Sequence, residues 1–293
     1  MFENYSDILI DGTFFSVPKC VYQIIITRFA LEYHHKYFTT SFTLSSNKKE
    51  DTYKEIFKII NNNIKEYQLK NKLKINFRPK NIHCDMEIVL INAIQFIWPY
   101  SNVKICYFHW NQAMEKNRKK YKDIFENNVS NNEAFKCLLT LPLIQEDVVE
   151  SVFNELKSNN LCLELKELFD YYEKMFIIKF KPPMWNYYNT ENNRTNNACE
   201  NYNKSLNSYF TTKPTIIKLI NILSIEENAI SNEYSEIVNE GYLTKRKIIG
   251  PSDYMSCLPY FIEKNEELKG NSNSDKKKRI EIWLEAARRL PIK

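Results

Sequence analysis

The sequence predicts an α/β fold in which a mixed sheet covered by helices leads into a long all-helical stretch. Two observations carry this expectation. Over the first hundred residues, β-branched and aromatic runs alternate with segments whose apolar residues recur at helical spacing. From Trp110 to about Lys181 the spacing is helical throughout. Three strands followed by helix, strand, helix and strand suit one sheet flanked by helices.

The elements follow in order. Ile8 to Phe15 reads as a strand halted by Pro18, and Val21 to Phe29 and Lys36 to Leu44 read as two more. Their short connections suit antiparallel pairing. Asp51 to Tyr67 places Tyr53, Ile56, Phe57, Ile60, Ile64 and Tyr67 along one helical face. A short strand ends at Cys84. A helix from Met86 to Ile97 then stops at Trp98-Pro99, and a strand runs from Val103 to Phe108. Helical periodicity returns around Leu141 to Leu156 and Leu161 to Phe176. A loop with Pro182-Pro183 and NTENNRTNN precedes a helix from about Ala198. Beyond Ile225 the chain is helical and increasingly charged, with GNSNSDKKKR expected to be solvated. The expected domains are 1–112, holding the sheet; 113–190, all helical; 191–225, a closing helix; and 226–293, a charged helical tail.

Composition narrows the function. At 293 residues the chain is long enough for one large domain or two modest ones. Lys and Arg outnumber Asp and Glu by 41 to 36, a mild excess that permits a nucleic-acid partner without demanding one. Seven scattered cysteines favour a reducing compartment over a disulfide framework. Neither a secretory signal nor a run of ~18 apolar residues is evident, so a soluble intracellular protein is expected. With only 4 glycines, Gly-rich phosphate loops and dinucleotide fingerprints are excluded.

Three carboxylates stand out: Asp11 inside ILIDGTFF, Asp85 closing NIHCD, and Glu200 in RTNNACENYN. Each also has an ordinary structural explanation. Asp11 suits a strand-end turn, Asp85 a helix N-cap, and Glu200 a capping-box partner of Asn197. Together they suggest more, because a carboxylate in an apolar strand is costly to desolvate and three converging ones repel. A divalent cation would offset that repulsion. Asp11 and Asp85 are expected on adjacent strands, crossed by a helix whose apolar stripe is Cys199, Tyr202, Leu206 and Tyr209. Glu200, Asn203, Lys204 and Asn207 would form its polar flank.

The segment HCDMEIVLINAIQFIWPYSNVKICYFHWNQAM resembles the core of Mutator-like element (MULE) transposases. There an Asp-x-Glu precedes a helix, an aromatic-Pro stop, and a Cys-x-x-His strand end followed by Gln-Ala. RTNNACENYNKSL resembles the family's closing motif and DILIDGTFFSVP its opening strand, and the three occur in the family's order. The resemblance implies a ribonuclease-H-like fold, a five-stranded mixed sheet flanked by helices, with an all-helical insertion before the last catalytic helix. The spacings agree: 85 − 11 = 74 residues accommodates the intervening elements, and 200 − 85 = 115 requires an insertion. It further implies a DDE site on Asp11, Asp85 and Glu200. These would hold two Mg²⁺ (or Mn²⁺) ions for DNA strand cleavage and strand transfer. DNA, as transposon ends and target, would be the partner, in the nucleus, with self-association an open question and no membrane partner.

Other residues carry weaker signals. Cys106 and His109 form the Cys-x-x-His motif, but a structural zinc site needs four ligands and no second pair stands at ligand spacing. A packing or DNA-contacting role is therefore expected ahead of zinc. Lys116, Arg118, Lys119, Lys120 and Lys122 concentrate charge after His109, as phosphate contacts or as a solvated helix face. Arg194, near Glu200, is a further DNA-binding candidate, and Lys276 to Arg279 a candidate nuclear-localisation run. Glu87 is expected to support Asp85 at most, pointing away from it on a helix. Related transposases usually carry a zinc-binding DNA-recognition domain, and no Cys/His cluster of that kind is evident here. A catalytic core without its sequence reader is therefore expected. The alternative is an inactive transposase-derived protein that binds DNA or protein through the same fold.

Overall fold

A computed structural model describes residues 7–15, 17–31, 36–72, 77–126, 128–158, 164–188 and 197–240. Arg194, the first three residues of RTNN, and the basic run at 276–279 lie outside the described residues. Two compact units divide the rest: residues 7–106 with 197–240, and residues 107–188.

The first unit is α/β. Strands β1 (Asp7–Thr13), β2 (Gln23–Leu31), β3 (Lys36–Ser45), β4 (Asn81–Cys84) and β5 (Asn102–Ile105) form one five-stranded sheet in the order β3-β2-β1-β4-β5. β1, β2 and β3 pair antiparallel, while β1, β4 and β5 run parallel, so the sheet is mixed and β1 is its central strand. Helices α1 (Glu50–Lys70), α2 (Ile88–Ile97), α9 (Asn197–Ser208) and α10 (Ile216–Glu240) belong to the same unit.

Side-chain alternation along β2 shows how the sheet is covered. Ile24 and Ile26 pack with Leu206, Phe210, Leu219 and Leu223 of the α9–α10 segment. Ile25, pointing the other way, shares a cavity lining with Tyr53 of α1 and Leu90 of α2. Both faces of the sheet are therefore helix-covered. α1 buries Tyr53, Ile56 and Phe57, and α2 buries Leu90, Ile91, Ala93 and Ile94. Trp98 ends α2 and sets its ring 5.5 Å from that of Phe57.

The second unit is helical in every element described: α3 (Tyr107–Lys120), α4 (Lys122–Phe125), α5 (Val129–Thr140), α6 (Val149–Ser158), α7 (Lys166–Tyr172) and α8 (Pro182–Trp185). Its core is aromatic. The Trp110 ring stacks 6.1 Å from that of Trp185, and Tyr172 and Phe176 close around them. The Trp185 indole N–H is shared between the Phe176 and Phe180 carbonyls at 2.7 and 2.6 Å. The Phe176 carbonyl lies within the π-helical segment Glu173–Lys179 and that of Phe180 directly follows it. No described helix is long and apolar enough to cross a membrane.

Several sequence expectations require correction. The strand expected to reach Phe108 stops at Ile105, and Tyr107 to His109 form the first turn of α3. Their aromatic content imitates a strand, but Tyr107, Trp110 and Met114 are buried at helical spacing. Helix α2 begins at Ile88 rather than Met86. Asp85 is therefore not its N-cap; that position is Glu87, whose side chain caps nothing. The periodic run from Leu141 is helical only from Val149. Pro142 sits in a 3₁₀ turn, Leu141–Leu143, and a second such turn, Glu146–Val148, follows. Pro182-Pro183 opens α8 instead of a loop, as proline in a first helical turn allows.

Candidate functional site

β1 pairs in parallel with β4 at a constant offset, Asp7 beside Asn81 and Leu9 beside His83. Since 81 − 7 = 74 and 85 − 11 = 74, the same offset carried onward sets Asp85 level with Asp11. Asp85 follows the last residue of β4, where the main chain turns and Glu87 N–H donates to the Asp85 carbonyl at 2.8 Å. Asp11 is only 5% exposed.

Glu200 reaches the same centre from α9. Asn203, one turn further along that helix, donates its amide to Asp11 Oδ2 at 2.6 Å, while Asp11 Oδ1 accepts from the Gly12 N–H at 2.9 Å. These two bonds are too few to offset desolvation and like charge. Burial, then Asp85 and Glu200, push the Asp11 carboxyl up to about 8. Glu200 Oε1 is itself buried with no hydrogen-bond partner. All three carboxylates are thus brought into one electrostatically coupled cluster, though not so tightly that ligand atoms of all three lie within 4.8 Å of one another. Mutual repulsion is reason enough for that spread. Oxygen-only donors with surplus negative charge are the set that a hard divalent cation requires.

α9 is held in place by Arg28, which the sequence reading passed over. Arg28 is 9% exposed on β2 and donates to the Ala198 carbonyl in the first turn of α9 and to the Tyr37 carbonyl. Its guanidinium lies 4.6 Å from the Tyr202 ring centroid. The available signal was an arginine inside the apolar run QIIITRFAL. The expected apolar stripe of α9 holds at Cys199 and Leu206, both fully buried, but not at Tyr209. Tyr209 is 46% exposed because its hydroxyl bonds Glu226 at 2.7 Å, and Phe210 takes its place in the core.

A small cavity opens beside the carboxylates, lined by Asp11, Gly12, Phe14, Gln23, Lys48, Tyr53, Asp85 and Glu87 among others, with about 10 Å³ of free space. Glu87 does not point away on a helix, as expected. Standing ahead of α2, it accepts from Lys48 Nζ at 2.6 Å and from the Tyr53 hydroxyl at 3.0 Å. Gln23 completes the chain by donating to the Tyr53 oxygen at 2.9 Å. Lys48, Tyr53 and Gln23 could not be assigned here from sequence, since nothing local marks them.

The thiols nearby are chemically quiet. Cys84 and Cys199 adjoin Asp85 and Glu200 in sequence, and burial followed by the neighbouring carboxylates pushes both well above the ordinary thiol range. They remain neutral and offer no thiolate nucleophile. Cys106 is buried, and its N–H donates to the Cys84 carbonyl at 2.9 Å; its sulfur lies within 4.8 Å of a Glu200 oxygen. His109 is half-buried in α3, against the Phe108 ring.

Of the basic residues on α3, Lys116, Lys119 and Lys120 are exposed. Arg118 is engaged within the helical unit, donating to Asn132 at 3.5 Å and lying 5.5 Å from the Phe135 ring centroid. Lys120 bonds the Tyr121 hydroxyl.

No curated protein matches the sequence. A family model, the MULE transposase domain, matches residues 8–113, a span that includes Asp11, Asp85, Cys106 and His109 and leaves Glu200 outside. Such a domain indicates transposase-related function and interaction with DNA. The similarity to the MULE transposase domain is thus carried by residues 8–113.

Proposed function

We propose that this chain is the catalytic core of a MULE-type transposase, with a ribonuclease-H-like sheet and a helical insertion between Asp85 and Glu200. In this reading it cleaves and joins DNA strands at a DDE site made of Asp11, Asp85 and Glu200. One observation carries the proposal: the buried Asp11 carboxyl is pushed up to about 8 by burial and by Asp85 and Glu200, which come from separate segments, and Asp11 and Asp85 line a cavity about one ion in size. A purely structural site would pair each carboxylate with a cation or with donors, and Glu200 Oε1 has none.

The donor set fits Mg²⁺ or Mn²⁺, held by Asp11, Asp85 and Glu200. When bound, such ions activate an attacking water or 3′-hydroxyl and stabilise the leaving oxygen of a phosphodiester. The remaining work falls to the protein. Asn203 fixes the orientation of the Asp11 carboxylate, Arg28 seats the turn bearing Glu200, and the Lys48–Glu87–Tyr53–Gln23 chain stiffens the opposite wall. Exposed Lys116, Lys119 and Lys120 suit sequence-independent phosphate contact. Nuclear action follows from DNA as substrate.

The test is Mn²⁺- or Mg²⁺-dependent nicking and strand transfer on DNA carrying the element's terminal repeats. Asp85→Asn should lower the rate by about 10²–10³-fold, in line with loss of a principal electrostatic group. An unmutated chain that binds such DNA yet never cleaves it, with either metal, sinks the enzymatic reading in favour of a DNA-binding role.

A further inference from the structure

Directly after Asp11, β1 delivers Gly12, Thr13 and then two phenylalanines to the surface. Phe14 is 45% and Phe15 60% exposed, and Tyr22, at the start of the returning strand, is 50% exposed. A single exposed aromatic needs no explanation, but three within nine residues, beside a buried acidic cluster, form a local patch. The Phe14 and Tyr22 rings meet edge to face at 5.8 Å, so the patch has internal order. Phe14 lines the same cavity as Asp11 and Asp85. Lys48, another lining residue, holds its Nζ 4.7 Å from the Phe14 ring centroid while bonded to Glu87. A Cβ at Gly12 would meet the Phe14 ring at an ordinary 3.7 Å but would stand only 2.9 Å from Gln23 Oε1, so the glycine leaves room for Gln23.

Size decides what can use the patch. A cavity of about 10 Å³ admits a water or an ion and nothing larger. Any organic part of a substrate must lie across the mouth, against the rings of Phe14, Phe15 and Tyr22. Nucleobases in an intact duplex keep their faces stacked on one another, whereas an unpaired base presents a free π-face that aromatic side chains bind without regard to sequence.

We propose that Phe14, Phe15 and Tyr22 form a stacking platform for an unpaired nucleotide of the DNA strand lying across the acidic site. The inference rests on the DNA-strand reading given above and adds to it the state of the substrate: locally unpaired at the site.

Binding tests this without requiring turnover. Fluorescence anisotropy of the full chain would compare a short single-stranded oligonucleotide with a blunt duplex of equal length, and a 5-iodouracil single strand would be photocrosslinked and mapped by mass spectrometry. The F14A/Y22A variant should bind the single strand about tenfold or more weakly, with duplex affinity changed less than about twofold. F14L/Y22L, which keeps apolar bulk but no π-face, should lose the same factor, and F14W should retain wild-type affinity. Crosslinks should map to Phe14, Phe15 or Tyr22. Unchanged single-strand affinity in either double variant, confirmed folded by circular dichroism, overturns the platform alone, as do crosslinks confined to other segments. A wild-type chain that binds neither DNA form overturns the platform and the transposase reading together.

Discussion

Asp11 is buried near two other acids on the central strand, and its protonation is coupled to folding. Its carboxyl is raised from 3.8 to about 8 in the folded chain. The folded state therefore binds the proton more tightly than the unfolded state does. The stability this contributes is complete below about pH 4 and is lost as pH rises through about 8. In EDTA, the melting temperature of wild type relative to Asp11→Asn should fall across that window. The Asn variant, which cannot ionise, should be the more stable of the two at pH 8. A parallel pH dependence in both proteins would remove Asp11 as the source. A divalent cation binding only the folded state should recover stability at pH 8, by about 2.7 kcal/mol at a hundredfold excess over Kd. That gain should vanish in Asp11→Asn.

At the scale of single elements, α9 decides whether Glu200 reaches the site. Two forces seat it: apolar burial at Cys199, Leu206 and the nearby Phe210, and the Arg28 clamp on its first turn. Leu206→Ala should cost about 2–5 kcal/mol, the range for a fully buried leucine, measured by urea denaturation. Arg28→Met should cost about 2–4 kcal/mol, because it leaves the carbonyls of Tyr37 and Ala198 short of a charge-assisted donor. Arg28→Lys should recover only part of this, since an ammonium cannot fork to both. Recovery of full stability by lysine would contradict the clamp.

Sheet strands were legible as β-branched and aromatic runs, Ile24 to Ile26 being buried on both faces, and long helices by periodicity, with Tyr53, Ile56 and Phe57 recurring at helical spacing. Cys106 to His109 misled because aromatic residues serve strands and buried helix faces equally well. Asp11, Asp85 and Glu200 could be read as candidates since each is an acid in an awkward place. Arg28, Asn203 and the Lys48–Glu87–Tyr53 chain were harder, because their meaning lies in partners far along the chain. Arg28 meets Ala198 across 170 residues, a relation that no local pattern encodes.

The described residues form two units, one whose core of aliphatic and aromatic side chains surrounds a sheet and one whose core is aromatic among helices. Damage to one core should therefore remain largely local. In hydrogen exchange of Leu206→Ala, amides of β1, β2 and α9 should lose protection by at least tenfold, while those of α5 and α6 change less than about threefold. Uniform acceleration over residues 7–240 would mean that both units unfold as one.

The bond from Asn203 to Asp11 closes a loop of 192 residues. On a ribosome adding 5–20 residues each second, β1 emerges roughly 10–40 s before the residue that must hold its carboxylate. During that interval the nascent chain gains Asp85, 74 residues after Asp11, but has neither Glu200 nor Asn203. The acidic centre is therefore completed late in synthesis, and a chain cut short before α9 would carry all five strands while leaving uncovered the apolar face of β2 that Leu206, Phe210, Leu219 and Leu223 bury.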